Sequence, residues 1–63
     1  MNEELRVGQV WYLRTVESKE INCWRITDLS KNTIAFVLHN KYSNYSRGRH
    51  LIRDIEFIEL VEQ

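Results

Sequence analysis

The 63-residue sequence predicts a single all-β domain, a small and strongly bent barrel of five short strands with one helical turn before the last. Three observations carry this expectation. Apolar and aromatic residues alternate with a period of two in short runs, polar turn-prone clusters separate those runs, and β-branched and aromatic residues dominate the first of them.

The stretch from Ile21 to Asn40 reads as a β-hairpin. Trp24 and Ile26 share one face of its first run, and Ile34, Phe36 and Leu38 share one face of its second. Asp28-Leu29-Ser30-Lys31-Asn32 is the expected connection. With Asp28 facing Asn32, Ile26 meets Ile34 and Trp24 meets Phe36, giving an aromatic cross-strand pair. A slip of one residue would put Trp24 and Phe36 on opposite faces.

Before the hairpin, Leu5 to Val16 reads as an opening strand broken near Gly8, where a glycine suits a bulge or sharp bend. Glu17-Ser18-Lys19-Glu20 is a polar connection too short for a helix. After the hairpin, Lys41 to Gly48 contains no aliphatic residue and is the longest expected loop. Arg49-His50-Leu51-Ile52 reads as a fourth strand, Arg53 to Phe57 as a helical turn, and Ile58 to Glu62 as the closing strand. Glu56, Glu59 and Glu62 keep a three-residue spacing, so a helix through this tail is the alternative.

A chain this short buries a small fraction of its surface, and a single cysteine, Cys23, leaves no internal disulfide to reinforce it. Stability therefore falls to the 43% of apolar residues, seven aromatics among them. The absence of proline leaves no linker signal, and the whole chain is one domain with its ordered core expected over about 5–62. No run approaches the ~20 apolar residues of a membrane-spanning helix, and the acidic start has no apolar run behind it, so a signal peptide is not expected. With one unpaired thiol, the expected location is the cytoplasm. The sequon Asn44-Tyr45-Ser46 is then a chance match.

The formal net charge of zero hides segregation: residues 1–20 carry −1, residues 21–53 carry +5 and residues 54–63 carry −4. Such a chain either presents a two-signed surface suited to an anionic partner or interleaves its signs as the strands fold together.

Catalytic constellations are poor. Cys23 and His39 can approach across the hairpin, yet no glycine-rich turn or helix N-terminus stands beside them to stabilise developing charge. His39 and His50 lie eleven positions apart, which matches no regular metal-ligand spacing, and two glycines are too few for a phosphate loop or dinucleotide fingerprint. No metal, cofactor or small-molecule substrate is expected.

A richer pattern is Lys41, Tyr42, Tyr45, Arg47, Arg49, His50 and Arg53, where bases interleave with rings. Nucleic-acid binders need cations for phosphates and flat π-faces for unpaired bases, and stacking is worth ~1–3 kcal/mol per base. The competing account pairs Arg49 and Arg53 with Asp54, Glu56 or Glu59, and the pI of about 6.7 is low for a dedicated binder. Trp11 and Tyr12 are adjacent in a strand and point to opposite faces. One of them must lie outside or under the long loop, a candidate contact for a protein partner.

Val7-Gly8-Gln9-Val10-Trp11, the Trp24-x-Ile26-x-x-Leu29 to Ile34-x-Phe36 hairpin, and Arg49-x-Leu51 followed by Phe57 together resemble small stand-alone Src-homology-3-type proteins. Such SH3-like barrels are common in bacteriophages and other mobile elements, many without an assigned function. The resemblance covers about residues 5–62 and implies a five-stranded SH3-like barrel. The paired tyrosines, acidic loop and proline of the peptide-binding members are not evident, so a proline-rich peptide groove is not carried over. The expected function is non-enzymatic binding, as a nucleic-acid-binding accessory protein using Lys41, Arg47, Arg49 and Arg53 on phosphates and Tyr42 and Tyr45 on bases. The alternative is a protein-interaction factor docking on a host or replication protein through Trp11 or Tyr12 and the acidic tail. Monomer and homodimer are both compatible with the sequence.

Overall fold

A computed structural model describes residues 4–39 and 48–63. It contains β1 (Val10–Thr15), β2 (Asn22–Leu29), β3 (Thr33–Leu38), β4 (His50–Leu51), a 3-10 turn (Ile52–Asp54) and β5 (Ile55–Glu62). The strands form one antiparallel sheet in the order β4-β3-β2-β1-β5, open at its two ends. The two edge strands are therefore consecutive in the chain and joined by only three residues. Four flat interstrand steps would span ~19 Å, whereas the four Cα steps from Leu51 to Ile55 reach at most ~14 Å when fully extended. The sheet must curl until its edges approach, and the 3-10 turn bridges them.

The concave face is the core. Trp11 and Leu13 from β1, Trp24 and Ile26 from β2, Ile34 and Phe36 from β3, and Ile55 from β5 are buried together. Leu5, Leu29, Leu38, Ile52, Phe57 and Leu60 pack around them. Trp24 meets Phe36 edge-on with ring centroids 5.0 Å apart, and Trp11 meets Phe57 in the same way at 5.3 Å. The buried Trp11 Nε1 donates to Gln9 Oε1 at 3.0 Å, which satisfies the one polar atom of that ring.

The hairpin register differs from the expected one. Ile26 lies opposite Phe36 and Trp24 opposite Leu38, so the Trp24–Phe36 contact is diagonal, not directly opposed. Two causes act together. Strand β2 continues through Asp28 and Leu29, and the turn tightens to Ser30–Thr33, closed by Ser30 N–H on Thr33 O at 2.9 Å. A β-bulge at Thr27 then places two residues of β2 against one of β3. The bulge turns Leu29, Ile26 and Trp24 all inward although their spacings are three and two.

Strand β5 begins at Ile55, three residues earlier than expected, and the helical turn shifts back to Ile52–Asp54. The tail is a strand. Its carboxylates Glu56, Glu59 and Glu62 lie opposite Arg14, Tyr12 and Val10, which are spaced by two. Two bulges absorb the difference, so the three-residue rhythm that suited a helix belongs to a doubly bulged strand. On the outer face Arg14 pairs with Glu56 at 2.6 Å, and Arg25 reaches Glu62 at 3.7 Å across the fully buried Val10. The acidic tail thus finds its cations on β1 and β2.

Gly8 has φ +98°, in a turn where its N–H donates to Ile26 O at 2.9 Å. No atom lies within 4 Å of a Cβ added at Gly8 or at Gly48. The cost at Gly8 is therefore purely conformational, and Gly8→Ala is expected to lose ~1–2 kcal/mol. Gly48→Ala is expected to stay within ~0.5 kcal/mol of the parent. Urea unfolding of the two variants, followed by tryptophan fluorescence, reads the difference.

Candidate nucleic-acid interface

The 3-10 turn is fastened on both sides by backbone hydrogen bonds. Ile52 N–H donates to Asn32 O in the β2–β3 turn at 2.8 Å, and Val16 N–H at the end of β1 donates to Asp54 O at 3.1 Å. Arg53 sits between these two anchors and is exposed. On one side of it lies a cleft of about 500 Å³ lined by Lys31, Asn32, Leu51, Ile52 and Arg53. On the other lies a cleft of about 380 Å³ whose lining includes Thr15, Val16, Lys19, Arg53, Asp54 and Ile55. Arg53 borders both, and it has no ion-pair partner among the described residues.

Lys19 is held at the wall of the second cleft by a tight turn. Its N–H donates to Thr15 O at 3.0 Å, Ser18 N–H donates to Thr15 Oγ1 at 3.2 Å, and Lys19 itself takes φ 60°. Lys31 occupies the β2–β3 turn, which Ser30 and Thr33 close. Sequence order separates Lys19, Lys31 and Arg53 widely. Only the curl of the sheet brings their three connections to one end.

Arg49 is engaged within the fold. Its guanidinium donates to the Asp28 carboxylate and to Thr33 Oγ1, the latter at 3.0 Å. Its acidic partner is on β2, not on the acidic tail. The hydrogen bond and charge of Arg49, followed by the Leu29 N–H, hold the Asp28 carboxyl below its ordinary range. Lys41, Tyr42, Tyr45 and Arg47 lie outside the described residues. Of the expected phosphate contacts, Arg53 has no ion-pair partner among the described residues, and Arg49 is paired with Asp28.

Trp11 and Tyr12 separate as strand alternation requires. Trp11 is 3% exposed and lies in the core, which removes it from the candidate contacts. Tyr12 is 42% exposed on the outer face, opposite Cys23 on β2 and Glu59 on β5. Ile58 and Val61 on the neighbouring edge strand are also exposed.

The backbones of Cys23 and His39 pair, His39 N–H donating to Cys23 O at 2.8 Å. Burial pushes the Cys23 thiol up, Arg25 offsets this in part, and Glu62 adds to it. A thiol held in its protonated form is a poor nucleophile. His39 faces Arg25, whose Nη2 is 3.5 Å from Nδ1. His50 stacks on Phe36 at 5.4 Å, and its Nδ1 lies 3.3 Å from Glu17 Oε1, fixing the short β4 against the β1–β2 connection. Among the described residues no three histidine, cysteine or carboxylate side chains gather as a metal set.

No family model matches this chain, and no curated protein or solved structure matches it either. The site is therefore read from its own geometry.

The Asp28–Arg49 pair makes a pH-dependent contribution. A carboxyl depressed on folding stabilises the protein above its unfolded value of about 3.8 and loses that effect as pH falls through its folded value. Asp28→Asn is expected to melt below the parent at neutral pH, with the gap narrowing as pH falls below the unfolded value of about 3.8. Thermal melts of both proteins across that range test this.

Proposed function

We propose that this protein is a non-enzymatic binding module that engages nucleic acid as an accessory factor. The observation that carries the reading is Arg53, an exposed cation on a doubly anchored turn, shared by two clefts and without an ion-pair partner among the described residues. A guanidinium in that position can meet a phosphate without first giving up another charge. The basic and aromatic segment at Lys41, Tyr42, Tyr45 and Arg47 precedes β4 in the chain and adds cations and stacking rings to the same reading. The strand order β4-β3-β2-β1-β5, with a 3-10 turn between the edge strands, supports assignment to the SH3-like barrels that the sequence resembles. The single thiol supports a cytoplasmic setting.

A second reading rests on Tyr12, Ile58 and Val61, exposed on adjacent strands at the β5 edge. That face suits a protein partner, in keeping with an interaction factor of a mobile element. The two readings part on salt. Fluorescence anisotropy of labelled single- and double-stranded oligonucleotides should show micromolar or tighter binding that weakens steeply with added salt, the mark of released counterions. No binding at low salt would remove the nucleic-acid reading. Capture of a protein partner that survives moderate salt and fails with Tyr12→Ala would establish the second.

A further inference from the structure

We infer that the two clefts flanking Arg53 form one continuous track for a phosphodiester backbone, with Lys31, Arg53 and Lys19 as successive phosphate contacts. The inference rests on the nucleic-acid reading above and names its contacts. Lys31 lines the cleft on one side of Arg53, Lys19 lines the cleft on the other, and Arg53 lines both. Like Arg53, the two lysines are exposed and have no ion-pair partner among the described residues.

The charge balance favours an anion. Among the described residues four cations border the two clefts, Arg14, Lys19, Lys31 and Arg53, against the two carboxylates of Asp54 and Glu56. Glu56 is already taken by Arg14 at 2.6 Å, which leaves, among the described residues, three cations without an ion-pair partner and one acid along the track.

The distribution of those cations over three separate connections favours an extended polyanion over a compact one. Each stands on a different connection, the β2–β3 turn, the 3-10 turn and the β1–β2 turn. Backbone hydrogen bonds fix the three connections to one another through Ile52 to Asn32 and Val16 to Asp54. Between the charges the lining is apolar, with Leu51 and Ile52 on one side and Val16 and Ile55 on the other. Those surfaces accommodate the sugars that separate phosphates. Among the described residues no aromatic ring lines either cleft, so Lys31, Arg53 and Lys19 contact the backbone and do not read bases. Binding through the track is insensitive to base sequence.

The test measures anisotropy for the full chain and for Lys19→Gln, Lys31→Gln, Arg53→Gln and Arg6→Gln. Probes are single-stranded and duplex oligonucleotides of two unrelated sequences, across a salt series. All four substitutions are at exposed side chains, and thermal melts confirm that each variant folds. Each of the first three should lower the salt slope by about one unit and weaken both sequences equally. Arg6→Gln should leave the slope unchanged, because Arg6 lines neither cleft and pairs with Glu4. Oligonucleotide binding that persists unaltered in the three variants would overturn the track and leave the nucleic-acid reading standing. Absence of binding by the parent protein would overturn both. Equal competition by poly-glutamate would reassign the groove to acidic polypeptides and overturn the phosphodiester assignment.

Discussion

The three-residue link between the two edge strands is the constraint on which the rest of this fold depends. Because β4 and β5 stand at opposite ends of the sheet order, Ile52–Asp54 can join them only if the sheet bends strongly. That bend creates a concave face, and Phe36, Leu13, Ile26 and Ile34 fill it without exposure. It also gathers the β1–β2 turn, the β2–β3 turn and the 3-10 turn at one end. Packing and candidate site are two consequences of one short connection.

The bulges are how a sequence this short meets the bend. Each bulge raises local twist and changes which face the next residue takes. At Thr27 a bulge keeps Trp24, Ile26 and Leu29 on one side, and along β5 two more keep Phe57 and Leu60 inward while Glu56, Glu59 and Glu62 stay outside. Much of this was legible in the sequence. The all-β class, the hairpin, the break at Gly8 and the inward set of Trp24, Ile26, Ile34 and Phe36 follow from alternation and turn chemistry. The register did not follow, because a strict period of two has no place for an extra residue. Spacings of three inside otherwise alternating runs, Ile26 to Leu29 and Phe57 to Leu60, were the available signal.

The site was less legible than the fold. Sequence neighbourhood grouped Arg49 with Arg53, yet the chain turns between them, and Arg49 reaches back to Asp28 while Arg53 stands between two clefts. Lys19 and Lys31 gave no signal by proximity, since each is an ordinary turn lysine until the sheet curls. Charge segregation along the chain was only partly a surface property: Arg14 and Arg25 take up Glu56 and Glu62 across strands. What remains uncommitted at the curled end is a small set of cations, which is how a chain of zero formal charge can still offer a basic groove.

The most direct test of this account is a two-dimensional amide NMR titration of the full chain with a short oligonucleotide at low salt. Shifts concentrated at Val16, Lys19, Lys31, Asn32 and Ile52–Asp54 would place the ligand on the end of the sheet that the short connection creates. Shifts confined to Tyr12, Cys23, Ile58 and Glu59, with the 3-10 turn silent, would contradict it and move function to the outer face.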